Sequence, residues 1–112
     1  GQCVVTPAFK LAAKHIVHGV APIFDEAQVD RCFQLLHDLY GNIFRTIAAL
    51  HVRTVVMPPI GTRSYGFPKA DAARVAVDAA RLFVESTTCD VTFSVIDGEE
   101  RACYSAALRS GH

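Results

Sequence analysis

The sequence predicts an α/β domain, and three observations carry that expectation. Strand-like and helix-like segments alternate through the second half. A long apolar stripe with spacings of three and four runs from Val29 to Leu50. Between them, Met57 to Pro68 joins the end of a β-branched run to the start of an Ala-rich helix through small and polar residues.

Taken in order, Cys3-Val4-Val5-Thr6 is a short β-branched run ended by Pro7, and Lys14 to Ala21 is a longer one ended by Pro22; both read as strands. The intervening Ala8 to Ala13 reads as a loop or a turn of helix. Asp25 followed by Gln28 has the form of a capping box, which starts a helix there. Val29, Phe33, Leu36, Tyr40, Ile43, Phe44, Ile47 and Leu50 keep one face across Gly41-Asn42, so one long helix is expected, with Gly41 as a candidate bend.

Thr54 to Met57 is the next strand. Pro68, suited to a first helical turn, opens a helix over 69–85 whose inward side is Ala72, Val75, Ala76, Ala79, Leu82 and Phe83. Asp90 to Ile96 alternates as a strand. Asp97 with Glu100 repeats the capping pattern before a last helix from about Glu99 to Leu108. Strand, helix, strand, helix implies a largely parallel sheet with right-handed crossovers.

At 112 residues the chain is expected to be one domain over 1–112. Eleven basic and eleven acidic residues give no field to draw nucleic acid or an anionic membrane, and no apolar run approaches the ~20 residues of a membrane helix. The 51% apolar content exceeds the usual share, so part of the surface is expected to be covered by a partner or by a second copy in a homodimer. Cys3, Cys32, Cys89 and Cys103 form no Cys-x-x-Cys pair and follow no secretory leader. They read as buried, reduced thiols in a cytoplasmic setting. Gly1 and Gly111-His112 are given no structural role.

The loop is the candidate ligand site by position: it follows the carboxyl end of a strand and precedes a helix whose first amides lack partners. Its candidate residues are Ile60, Gly61, Thr62, Arg63, Ser64, Tyr65, Gly66 and Phe67. Tyr65 and Phe67 either stack on a ribose or base or pack the loop onto the next helix.

These residues resemble the macro domains, a family that binds ADP-ribose and in some members hydrolyses its esters. Lys14 to Pro22 looks like that family's K-x-[VI]-I-H-x-V-G-P strand, and Pro58 to Pro68 is similar to its P-A-I-S-T-G-I-Y-G-Y-P loop. Inside the loop the family's S-T-G-I-Y-G becomes Gly61-Thr62-Arg63-Ser64-Tyr65-Gly66. Arg63 thus replaces a glycine that approaches the diphosphate, and either alters the cradle or takes over as a phosphate ligand.

The family's first strands, N-A-A-N segment and first Gly-rich loop have no counterpart among these residues, so no catalytic residue carries over. One of those strands runs between the strands matching His15 to Ala21 and Thr54 to Met57. The resemblance therefore implies a truncated, three-layer macro-like domain: a mixed, mostly parallel sheet of about four strands with helices on both faces. Direct closure of the gap is favoured over borrowing a strand from a second chain.

Other chemistry has plainer explanations. His15 and His18, three apart on a strand, point to opposite faces, so no metal site is assigned. Cys32 and His37 do not share a helix face. Asp25, Asp97 and Glu100 stand where capping explains them. The expected function is weak binding of ADP-ribose or a related nucleotide phosphate, without catalysis and without a cofactor. The alternative is an interaction module that has lost its ligand and self-associates through the vacated face.

Overall fold

The computed structural model describes residues 3–7, 15–19, 21–62 and 65–110, and of residues 3–7, 15, 16 and 18 the backbone alone. The 8–14 connection, both termini, Arg63, Ser64 and the side chains of Cys3, His15 and His18 lie outside the described set. The order is β1 (Cys3–Pro7), β2 (His15–Gly19), α1 (Val29–Leu50), β3 (Thr54–Met57), α2 (Lys69–Ser86), β4 (Asp90–Phe93) and α3 (Gly98–Ser110). This is the expected α/β alternation. No helix among the described residues is long and apolar enough to cross a membrane.

The helix starts follow local chemistry, with one change. Asp25 accepts from the Ala27 amide at 2.9 Å and caps a single 3-10 turn, Glu26–Gln28, that precedes α1. The Gln28 side chain donates to the Asp25 carboxylate at 3.3 Å instead of reaching the backbone, so the box closes between side chains. α1 then runs unbroken through Gly41. Its buried stripe is Cys32, Leu36, Leu39, Tyr40, Ile43, Phe44 and Ile47, while Val29, in the first turn, is exposed. The helix stops at His51, left-handed at φ 54°, whose N–H returns to the Ala48 carbonyl at 3.2 Å.

α2 packs between α1 and α3, and its small buried face, Ala72, Ala73, Ala76, Val77, Ala79, Ala80 and Phe83, lets both neighbours approach. Leu82, expected inward, is 63% exposed. At about 100° per residue it falls far from the arc centred on Ala76 and Ala80, which two flanking helices rather than one sheet define. Arg81 closes the other end of α3 by donating to the Ala107 and Leu108 carbonyls at 3.1 and 2.6 Å.

The expected single sheet is not what forms. β1 pairs antiparallel with β2, β3 pairs parallel with β4, and β2 and β3 are not joined. Direct closure of the gap, the favoured expectation, does not occur among the described residues: α1 lies on β1 and β2 and α2 on β4, and the place between β2 and β3 is the one where the resemblance puts a strand with no counterpart among these residues. One antiparallel and one parallel ribbon thus replace the mostly parallel sheet.

β4 is also shorter than expected, ending at Phe93. The Ser94 amide makes a last bond to the Met57 carbonyl at 2.8 Å, after which Pro58 and Pro59 have no N–H to continue the ladder. Along β3 and β4, Val55, Met57, Val91 and Phe93 face the core, whereas Thr54, Val56, Asp90 and Thr92 face outward. Val56 is 71% exposed.

Candidate functional site

The loop after β3 is held by its own backbone and by one aromatic cluster. Gly61 has φ +92° and Gly66 φ +76°, so both turns of the loop use left-handed backbone. The Phe67 amide donates to the Gly61 carbonyl at 2.9 Å, closing the loop on itself. The Phe24 amide donates to the Tyr65 carbonyl at 2.7 Å, tying it to the segment before α1.

Phe67 is 2% exposed and packs with Phe24 and Phe33, ring centroids 5.2 and 5.5 Å away. Its ring belongs to the core, so of the two roles open to it the structure shows packing. Tyr65 is 37% exposed, and Ile60 is half-buried against the core. Arg63 and Ser64 lie outside the described residues.

The start of α2 adds donors. Pro68 precedes it without a side-chain cap, and the first amide to find a helical partner is that of Ala72, bonded to the Pro68 carbonyl at 3.0 Å. The amides before it in the first turn point out of the helix end, where anions bind. α3 differs: Asp97 accepts from the Glu100 amide at 2.9 Å and caps it. Lys69, beside the loop, is held at 3.1 Å by Asp97 and at 3.5 Å by Glu99. The hydrogen bond to Asp97 raises its pKa, and its charge is spent on these carboxylates.

Capping does not explain the Glu100 side chain. Its backbone N–H is capped as expected, but the carboxylate is 3% exposed and turns beneath the loop, where the Thr62 hydroxyl donates to it. The signal was available: Glu100, Tyr104 and Ala107 are spaced four and three apart, which puts a carboxylate on the inward stripe of α3.

Two more buried oxygens lie close by, the hydroxyls of Tyr40 and Tyr104, neither with a partner of hydrogen-bonding geometry among the described residues. Burial, reinforced by Tyr104, raises Tyr40 well above the usual phenol range, and burial pushes Tyr104 up to about 12.

A folded-state pKa above the unfolded value of about 10 means that the native state holds protons the unfolded chain releases. Stability is therefore complete below about pH 10 and falls as the pH rises toward 12, with a limiting slope near 1.4 kcal/mol per pH unit for each tyrosine. Tyr104→Phe is expected to flatten this slope in thermal melts between pH 9 and 11.5. At neutral pH it is expected to change stability by less than about 1 kcal/mol, because the hydroxyl it removes makes no hydrogen bond of good geometry among the described residues.

A recess of about 530 Å³ lies elsewhere, between the ends of α1 and α2. It is lined by His51, Arg53, Phe83 and Cys89 among others, at the amino ends of β3 and β4, opposite the loop. Cys32 and Cys89 are buried and Cys103 is half-buried, all three as free thiols. Burial raises the Cys89 thiol, which disfavours the reactive thiolate.

Fold and site together define an α/β domain with a glycine-turned loop and an open helix start at the carboxyl end of a parallel strand. The macro domain family profile matches residues 1–76, and the chain belongs to that family. It is 34% identical over 110 residues to the O-acetyl-ADP-ribose deacetylase of Salmonella typhimurium, covering 96% of this chain and 61% of that protein. With the protein of the same name from Cronobacter sakazakii it shares 44% over 78 residues, 70% of this chain and 43% of the relative.

Among solved structures, the macro domain of ganglioside induced differentiation associated protein 2 aligns at TM-score 0.89 with 26% identity, over 96% of this chain and 54% of that one. The Oceanobacillus iheyensis macrodomain with ADP aligns at TM-score 0.87 with 24% identity, over 96% and 57%. The chain thus spans about three-fifths of the length of the curated relatives it matches most fully.

Proposed function

We propose that this chain, as one domain, binds ADP-ribose or a related nucleotide phosphate, weakly and without chemistry of its own. The ligand meets the backbone amides from Gly61 to Gly66 and those of the first turn of α2, with the Arg63 guanidinium as partner for the diphosphate and Tyr65 beside the ribose or base. The observation that carries this reading is the loop itself: two left-handed glycines turn the chain in front of a helix start that has no side-chain cap. It is supported by relatives that are O-acetyl-ADP-ribose deacetylases and by the ADP in the Oceanobacillus iheyensis macrodomain.

Weak affinity follows from the charges. Lys69 is already paired, and Asp97 and Glu99 stand beside it, so the cationic help comes from Arg63. Free thiols support a reducing, cytoplasmic setting.

Arg63→Ala tests the site. By calorimetry at moderate salt it is expected to weaken ADP-ribose binding roughly tenfold, the scale of one charge-assisted phosphate contact. An unchanged affinity contradicts the role given to Arg63.

A second reading has one observation in its favour, the exposed Val56 on the open face of β3. Here that face, with the unjoined edges of β2 and β3, is covered by a second copy. Sedimentation at micromolar concentration distinguishes the two: a dimer that Val56→Lys dissolves supports self-association, and a monomer counts against it.

A further inference from the structure

Glu100 occupies an unusual place for a carboxylate, fully buried on the inward stripe of α3, with no ion pair among the described residues. A buried carboxylate needs donors, and among the described residues the Thr62 hydroxyl of the ligand loop, 38 positions away, supplies one. The oxygens of Tyr40, from α1, and Tyr104, from α3, are also buried and neighbour each other and Glu100, without a hydrogen bond of good geometry among the described residues. Side chains of α1, α3 and the loop therefore meet in one polar cluster beneath Gly61-Thr62.

We propose that Glu100 is the positioning residue of the ligand loop: its carboxylate takes the Thr62 hydroxyl, so that α3 sets the loop's conformation and the loop offers a bound nucleotide its backbone amides instead of that hydroxyl. This rests on the nucleotide-binding reading above. The chemistry constrains the ligand contact. A carboxylate only accepts, and a threonine hydroxyl has one hydrogen. With that hydrogen committed inward, the Thr62 hydroxyl has lone pairs left and no hydrogen to donate. It repels phosphate oxygens and suits a ribose hydroxyl or a water. Donors for the diphosphate are then the amides and Arg63.

The test compares Thr62→Val with Thr62→Ser in the full chain and reads two quantities. The first is hydrogen exchange at the Phe67 amide, which bonds to Gly61, relative to the Ser94 amide, which bonds to Met57 and serves as reference for the sheet. The second is ADP-ribose affinity.

Thr62→Val is expected to speed exchange at Phe67 roughly tenfold relative to Ser94 and to weaken ADP-ribose about as much, since it leaves the carboxylate without its donor. Thr62→Ser, which keeps the hydroxyl, is expected to stay within about twofold on both. Equal acceleration at Phe67 and Ser94 shows a merely structural contact and overturns the proposal, as does an unchanged Phe67 amide. If the unsubstituted chain takes no ADP-ribose, the nucleotide reading fails on its own, and the exchange ratio still decides whether Glu100 positions the loop.

Discussion

Phe67→Ala is expected to cost about 3–5 kcal/mol of stability and to remove ligand binding with it. The ring is 2% exposed and is the common partner of Phe24 and Phe33, which themselves lie 5.8 Å apart. Its loss opens a cavity between the loop, the segment before α1 and α1 itself. Few neighbours can fill it, because Leu36 is already fully buried and the Phe24 backbone is tied to Tyr65. At roughly 4–8 °C per kcal/mol for a domain of about this size, the melting temperature should fall by more than 10 °C. Phe67→Leu, which keeps most of the volume, should lose less than half of that. Calorimetric melts of the two variants check the order; equal melts would mean that the ring is not a core element.

Gly61→Val is expected to destabilise by about 1–3 kcal/mol through two effects that act together. At φ +92° a β-branched residue is strained whatever the space around it. Here there is little space, because a Cβ would stand 3.1 Å from Phe67 Cδ1 and 3.4 Å from its Cγ, on a ring held by two others. Gly66 separates the two effects. It is also left-handed, at φ +76°, but a Cβ there meets nothing within 4 Å. Gly66→Ala should therefore show strain alone, about 1 kcal/mol, and Gly61→Ala measurably more. Denaturant midpoints for the pair test this; a larger loss at Gly66 would contradict the packing described around Phe67.

The comparison also explains how this loop departs from its family. The pattern it resembles has serine at position 61 and glycine at 63, and here the glycine stands at 61 and an arginine at 63. Gly61 is left-handed at φ +92°, so in this loop a glycine-specific turn lies at position 61.

Much of the fold could be read from local patterns, since local energetics decide those features. The 3.6-residue stripe carried α1 through Gly41, Asp25 marked its start, and Pro68 opened α2. The position of the loop followed from the strand–helix alternation alone. What stayed illegible depends on distances between elements. The resemblance marks the gap between β2 and β3, but no local pattern in either strand tells whether they close it.

Leu82 faced the wrong way for the same reason, because two flanking helices and not one sheet define the buried arc of α2. Glu100 was misread through a true pattern. Asp97 does cap α3, and that satisfied reading concealed a carboxylate on the helix's inward stripe. In the loop, the choice between stacking and packing at Phe67 turned on Phe24 and Phe33, more than thirty positions upstream.

The most direct test of the central claim is an amide-resolved NMR titration of the 112-residue chain with ADP-ribose to millimolar concentration. The account predicts saturable shifts at the amides from Gly61 to Gly66 and in the first turn of α2, with those lining the recess near Cys89 unmoved. No shift at millimolar ligand, or shifts confined to that recess, would contradict it.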